Sequence, residues 1–294
     1  MAQAACQTKY FHTDDARLRG ETVDGEYSSV CTICSCDCRC SGRELGVYRL
    51  YYCQKCNFYF SPEAFDSTPD YDEAYSSPAY MKNQVDPIRH VKDRSCFGRI
   101  PTYRAFFDNI SPSSTRALLD LGCGVGRFCH AAHAAGWDVT GIDVSHSAIS
   151  IAKQYAPFRL VCGSMEDAIK EHSTYDVVTA FEVLEHIAAP LDFVKQVRLL
   201  LSEPGRIFFT VPNWDCRLVQ TATAYDAIPP FHINFFTQDA CQALLEAAGY
   251  RSIRTGTINV DRMPRNLRSL PKWMMRRLLG RPQNLGLWAC GLLG

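Results

Sequence analysis

The feature that most constrains this chain is a glycine-rich loop behind an apolar strand, answered by an acid at the end of the next strand. Ala117-Leu-Leu-Asp-Leu-Gly-Cys-Gly-Val-Gly126 reads as a strand carrying Asp120, followed by Gly122, Gly124 and Gly126. Without a Cβ, the backbone can turn sharply there and let a ligand approach closely. The helix that follows aims its free amides and positive dipole end at the loop. Asp143 comes twenty-three residues after Asp120 and closes the strand Trp137-Asp-Val-Thr-Gly-Ile-Asp143. A carboxylate in that place can accept two hydrogen bonds from ribose hydroxyls.

The chain around the loop reads as an α/β fold. From Arg116 onward, short apolar strands alternate with amphipathic helices, the mark of a doubly wound, mostly parallel sheet covered on both faces. Strands are expected at 116–121, 137–143, 158–162, 175–181, 205–211 and 250–259. Helices are expected near 126–135, 147–156, 165–172, 190–201 and 238–248, and residues 79–110 also look helical. The last 35 residues show no clear strand, and Pro264, Pro271 and Pro282 divide them into short pieces.

A chain of 294 residues has room for one such domain and a small accessory module. Its expected divisions are a flexible stretch over 1–26, a cysteine module over 27–65 and a linker with a helical substrate cap over 66–110. The α/β domain follows over 111–260, and a basic extension over 261–294. Hydrophobic content of 47% and charge of 21% fit a soluble globular protein. No apolar run nears the roughly 20 residues that span a bilayer, and the N-terminus lacks a signal core. The expected location is the cytoplasm. A net charge of zero argues against a protein built to neutralise nucleic-acid phosphates.

Asp120 directly precedes the loop, where it would repel a pyrophosphate but can hold an amino group. The spacing Gly-x-Gly-x-Gly also differs from the dinucleotide pattern Gly-x-Gly-x-x-Gly. With these motifs in place, residues 116–257 resemble class I S-adenosylmethionine-dependent methyltransferases, of the small-molecule type that includes the ubiquinone-pathway O-methyltransferases. The resemblance rests on Leu118–Phe128, on Gly141-Ile-Asp-Val-Ser145 and on Tyr175–Ile187. It implies a Rossmann-like, seven-stranded methyltransferase sheet and binding of S-adenosylmethionine. It lays the cofactor along Asp120, Gly122, Cys123, Gly124, Gly126, Asp143 and Val144. Adenine would lie by Cys162–Asp167, near the Met165 amide and a side chain from Ser164, Glu166 or Asp167; Phe181 would stand beside the transferring methyl.

Methyl transfer is an in-line displacement at a positively charged sulfur, so alignment and water exclusion matter most and a base is optional. Two histidines, His186 and His232, are candidate catalytic groups. In ubiquinone-pathway relatives a similar Glu-x-x-Glu-His group is linked to a divalent metal, so Glu182, Glu185 and His186 are candidate ligands; the alternative is that Glu185 and His186 cap the turn. His232, in Pro229-Pro-Phe-His-Ile-Asn-Phe-Phe-Thr237, is either a base in a lid over the acceptor or part of a packed loop.

Seven of the fifteen cysteines fall between Cys31 and Cys56. Cys31-Thr-Ile-Cys34 and Cys53-Gln-Lys-Cys56 are two Cys-x-x-Cys knuckles with 18 residues between them, suited to a zinc-ribbon-like site for structural Zn2+. Another metal, a cluster or free thiols remain open. Ser35 and Asn57 stand where zinc ribbons often carry Gly, and Cys36, Cys38 and Cys40 compete as ligands. Zinc ribbons also precede this methyltransferase type in enzymes of sugar, cell-surface and natural-product pathways.

Seven Arg or Lys and one acid mark residues 261–294, and the last antiparallel strand that the resemblance implies, not evident as a pattern here, would lie near Leu285–Leu293. The basic stretch 262–281 is a solvated face, a contact for an anionic substrate, or a membrane-surface helix. The acceptor expected is a small molecule methylated at a hydroxyl oxygen, or at carbon. An RNA base methyltransferase and a metal-binding scaffold without activity are the rival readings.

Overall fold

The computed structural model describes residues 21–23, 26–67, 73, 77, 80–111, 116–221, 227–259 and 284–293. Among the described residues, thirteen strands form two sheets. The first five are β1 (Glu21–Val23), β2 (Glu26–Val30), β3 (Asp37–Leu45), β4 (Tyr48–Cys53) and β5 (Phe58–Phe60). The central ones are β6 (Ala117–Leu121), β7 (Asp138–Asp143), β8 (Arg159–Cys162), β9 (Tyr175–Phe181) and β10 (Leu201–Pro212). The last are β11 (Asn234–Phe235), β12 (Tyr250–Asn259) and β13 (Asn284–Leu293). The main helices are α1 (Pro101–Asn109), α2 (Arg127–Ala134), α3 (His146–Ala152), α4 (Met165–Lys170), α5 (Pro190–Val197) and α6 (Gln238–Ala247).

The large sheet has seven strands in the order β12-β13-β10-β9-β6-β7-β8. β10, β9, β6, β7 and β8 run parallel to one another, while β13 is antiparallel to both β10 and β12. Leu118, Leu119 and Val178 are fully buried, as expected of strands covered on both faces. The chain winds outward from β6 to β8 and then returns to β9 beside β6. This reversal leaves a crevice at the carboxyl ends of β6 and β9, the place where open α/β sheets take their ligands. The glycine loop opens into it.

Strand β13 has no clear signature along the chain. It lies in the last 35 residues, at the place near Leu285–Leu293 that the family resemblance implied for a last antiparallel strand, and it forms the rung between β10 and β12. Leu287, Ala289 and Cys290 are buried there. Two glycines, Gly286 and Gly291, weaken the strand signature of Asn284–Leu293; pairing on both edges outweighs the weak propensity. The basic stretch 262–281 lies outside the described residues.

Local signals place the helices well. Ser145 and Thr237 cap α3 and α6 by accepting the amides of Ala148 and Ala240. Ser164 and Asp167 form a reciprocal capping box at the start of α4. Helix α1, expected within a substrate cap, packs on the sheet: Phe106 is fully buried against Phe128, Trp137 and Phe208.

The small sheet has the order β1-β2-β3-β4-β5-β11. Its first strand begins at Glu21, ahead of the module start expected at residue 27. Its last strand comes from the methyltransferase-like part of the chain, with Asn234 opposite Phe60 and Phe235 opposite Tyr59. Phe58 and Phe60 are fully buried, and the Phe58 ring lies 5.0 Å from that of Phe236. Burial of each such ring contributes roughly 1.5–3 kcal/mol, so the two parts share one core. No helix among the described residues is long and apolar enough to cross a membrane.

Candidate active site

The glycine loop is held by backbone bonds to the neighbouring strand. Gly122 and Cys123 both donate their amides to the Ile142 carbonyl, at 2.9 and 3.0 Å. Gly122 has φ +72°, and a Cβ there would come within 2.7 Å of Val183 Cγ2. Gly124 has φ +51°, and its Cβ would sit 3.1 Å from the Tyr80 hydroxyl. Both left-handed turns therefore leave no room for a side chain.

Asp143 is buried and joins this loop. Its Oδ2 accepts the Gly124 amide at 2.7 Å and its Oδ1 accepts the Ser145 amide at 2.9 Å. Asp120 is buried beneath the loop; its carboxylate accepts the Thr179 hydroxyl at 2.7 Å and the Cys129 thiol at 3.4 Å. Burial pushes its pKa up to about 7, against the lowering effect of Thr179 and Cys129. A cation brought to this carboxylate would favour its charged form. The cradle thus suits a ligand with a cationic amino group and a ribose.

A second group converges just beyond β9. Glu182, at the strand exit, holds φ +55°, a strained left-handed backbone for a residue other than glycine. Its Oε1 accepts the Thr210 hydroxyl at 2.7 Å. One turn on, Glu185 is completely buried, and neither of its side-chain oxygens has a hydrogen-bond partner among the described residues. Nε2 of His186 and Nε2 of His232 each lie 4.0 Å from Glu185 Oε1. The two imidazoles meet edge to face with centroids 4.8 Å apart. Burial drives the Glu185 pKa well up, with the charge of Glu182 adding to it. Burial also pulls His232 down to about 3, helped by His186. His186 Nδ1 lies 2.7 Å from the Phe231 carbonyl and must donate to it. Its Nε2 is then the basic nitrogen.

The family model described as a methyltransferase domain matches residues 94–255, more than half of the chain. The chain belongs to the methyltransferase-domain family. Its fold is that of a class I S-adenosylmethionine-dependent methyltransferase. Ubiquinone biosynthesis O-methyltransferase of Coxiella burnetii (strain Dugway 5J108-111) is 34% identical over 101 residues, covering 33% of this chain and 43% of that one. The protein of the same description from Burkholderia multivorans is 33% identical over 122 residues, covering 38% and 51%. The chain spans about half the length of the curated relatives it matches. Two solved structures share the fold. A methyltransferase in complex with the Haloferax volcanii Trm112 activator has a TM-score of 0.58 at 17% identity, covering 76% of this chain and 98% of that one. A SAM-dependent methyltransferase from Archaeoglobus fulgidus has a TM-score of 0.54 at 14% identity, covering 74% and 100%.

Within this domain, Ser164 and Asp167 are occupied with each other in the capping box, and Met165 is buried. The Met165 amide, at the first position of α4, has no acceptor within the helix. Val144, Glu166 and Phe181 are partly exposed, and the Phe181 ring packs at a tilt on Phe128, with centroids 4.3 Å apart. Tyr80 is a residue that motif reading passed over. Its hydroxyl accepts the Val125 amide over the glycine loop, and burial raises its pKa. No spacing rule ties position 80 to position 124, so only the packing reveals it.

The four-cysteine centre is well formed. One sulfur from each of Cys31, Cys34, Cys53 and Cys56 lies within 4.8 Å of the other three, with Cys34 and Cys53 at 3.5 Å. The Ile33 amide donates to Cys31 Sγ at 3.4 Å, the contact that favours a thiolate. Ser35 and Asn57, which follow the two knuckles, have φ +58° and +50°. This left-handed backbone explains why Gly often stands there. Cys38 is buried beside the centre, whereas Cys36 and Cys40 are partly exposed.

Proposed function

We propose that this chain transfers a methyl group from S-adenosylmethionine to a hydroxyl oxygen of a small-molecule acceptor, with His186 as the base. A sugar, a cell-surface precursor or a natural product fits the class, and an acidic carbon is the second choice of acceptor atom. The observation that carries this reading is the convergence of Glu185, His186 and His232 at the exit of β9, on the ligand-binding edge of the sheet. Matches to ubiquinone biosynthesis O-methyltransferases support oxygen as the acceptor.

When bound, S-adenosylmethionine supplies a methyl on a positively charged sulfur. Asp120 pairs with its amino group, Asp143 accepts from its ribose, and the loop from Gly122 through Cys123 and Gly124 to Gly126 lies against it. Val144 flanks the ribose, and the Met165 amide with Ser164 or Glu166 meets the adenine. Phe181 borders the acceptor. His186 Nε2 would hold the acceptor hydroxyl and take its proton as that oxygen receives the methyl. His232 stays neutral and holds the imidazole of His186 edge-on.

A second reading of the same cluster rests on Glu185, whose two buried oxygens lack partners. Two imidazoles and one carboxylate suit a divalent cation, which would orient the acceptor hydroxyl in place of a base. Glu182 does not join this set, because Thr210 takes its carboxylate. Cys31, Cys34, Cys53 and Cys56 are the proposed ligands of a structural Zn2+, closed to substrate because all four positions are thiolates.

Labelled S-adenosylmethionine offered to panels of hydroxyl acceptors and to RNA tests the function. His186→Ala is expected to lose about 100-fold or more in turnover while keeping cofactor affinity. Full turnover in folded, cofactor-binding His186→Ala and His232→Ala chains would sink the base reading. Activity lost on chelation and restored by a divalent cation, with the zinc retained, would favour the cation.

A further inference from the structure

The segment 231–237 is fastened on two sides. On one side it meets the turn after β9: the Ile233 amide donates to the Glu185 carbonyl at 2.9 Å. Asn234 Nδ2 donates to the carbonyls of Leu184 and Ile187, at 3.1 and 2.6 Å. On the other side it meets the cysteine module. The Ser61 amide donates to the Ile233 carbonyl at 2.9 Å, and the Thr237 hydroxyl donates to the Asn57 carbonyl at 2.6 Å. Between these two ties, β11 pairs with β5.

β11 is two residues long, and β5 is its one strand partner. A ladder that short has little stability of its own and borrows order from its neighbour. β5 is three residues long and starts two residues after Cys56. The second knuckle is thus the nearest anchor before β5 along the chain, and β4, which ends at the knuckle residue Cys53, pairs with the other edge of β5. A module of this size builds little core alone, and its stability depends on closure of the cysteine centre. His232 adjoins Ile233, the residue fastened on both sides.

We propose that the cysteine module is a positioning element for the catalytic segment: closure of Cys31, Cys34, Cys53 and Cys56 on a metal holds β5, β5 holds β11, and β11 sets His232 against Glu185 and His186. The module thereby couples metal loading at one site to the geometry of another. Asn57, Phe58 and Ser61 are its positioning residues. This inference rests on the reading of the four cysteines as a zinc site and of residues 185–232 as the acceptor side of the enzyme.

Two full-length variants test it. Cys56→Ser removes a ligand, whereas Ser61→Pro keeps all four cysteines and removes the amide that ties β5 to Ile233. Zinc content, amide hydrogen exchange and S-adenosylmethionine affinity are measured, and the contact between the His186 and His232 rings is followed by nuclear magnetic resonance. Cys56→Ser is expected to lose its zinc and Ser61→Pro to keep it. In both, exchange at Ile233 rises at least about 10-fold and the ring contact is lost. Exchange across β6 and cofactor affinity stay as in the unaltered chain. Unchanged Ile233 exchange in zinc-free Cys56→Ser and in Ser61→Pro overturns the inference and leaves the zinc reading intact. An unaltered chain that holds no zinc yet protects Ile233 overturns both. Loss of β6 protection and cofactor binding along with the segment also overturns it, because the module would then support the whole domain. If Cys56→Ser does not fold, Ser61→Pro decides alone.

Discussion

Gly124 donates its backbone amide to Asp143 Oδ2 at 2.7 Å, so the acid at the end of β7 is a structural member of the glycine loop as well as a candidate ribose acceptor. The other oxygen holds the Ser145 amide, and Ser145 in turn caps α3. One carboxylate thus sets the loop and the start of a helix. Asp143→Ala should cost about 2–4 kcal/mol of stability, from two charge-assisted bonds lost in a buried place. It should also abolish measurable S-adenosylmethionine binding. Thermal unfolding and calorimetric titration read the two effects separately. A variant as stable as the parent would show that the loop holds itself.

Tyr80 and Gly124 should be energetically coupled. Gly124→Ala adds a Cβ 3.1 Å from the Tyr80 hydroxyl and imposes a left-handed backbone on alanine. Cofactor affinity is expected to fall by about 10-fold or more. Adding Tyr80→Phe removes the hydroxyl and should restore part of that loss. A double-variant cycle in calorimetric titration measures the coupling, and strict additivity would remove Tyr80 from the cofactor cradle.

Asp120 should make cofactor binding depend on pH. In the folded protein its pKa sits at about 7, above an ordinary value of 3.8. The folded chain therefore keeps a proton that the unfolded chain releases, and stability from this group declines as pH rises from about 4 through 7. The amino group of the cofactor favours the carboxylate, so binding should strengthen as pH rises toward 8 and should release a proton below about 7. Asp120→Asn should flatten that dependence. Calorimetry in buffers of differing ionisation enthalpy counts the proton directly.

Ser35→Gly should stabilise the cysteine module. Ser35 carries φ +58°, a conformation that costs an L residue about 1 kcal/mol and glycine almost nothing. Asn57 is at φ +50°, but its side chain accepts from Tyr52 and donates to Asp239. Asn57→Gly should therefore gain less than Ser35→Gly, or lose stability. Chemical denaturation with zinc content held constant compares them, and a loss on Ser35→Gly would contradict the strain assignment.

The features that reading along the chain revealed are those encoded locally. The apolar periodicity of 117–121, 138–143 and 175–181 marked the parallel strands because burial on both faces demands it. Glycines at 122, 124 and 126 marked the loop because all three hold a left-handed backbone, and at Gly122 a Cβ would also press on Val183. The knuckle spacing of the cysteines brought four sulfurs together as expected. The burial that pulls the His232 pKa down to about 3 has no mark in the local sequence, because it comes from packing against distant segments.

By itself, the sequence determined the strand and helix plan, the glycine loop with its two acids, and the two knuckles. Each of these depends on residues close together in the chain or on a simple spacing. Only the tertiary structure decided that 284–293 slides between β10 and β12, that Tyr80 covers the loop, and that β11 joins the small sheet. It alone placed His232 Nε2 4.0 Å from Glu185 Oε1 and sent Glu182 to Thr210. Pairings of this kind are chosen by packing and by the need to satisfy buried polar groups across long loops, and no local pattern records them.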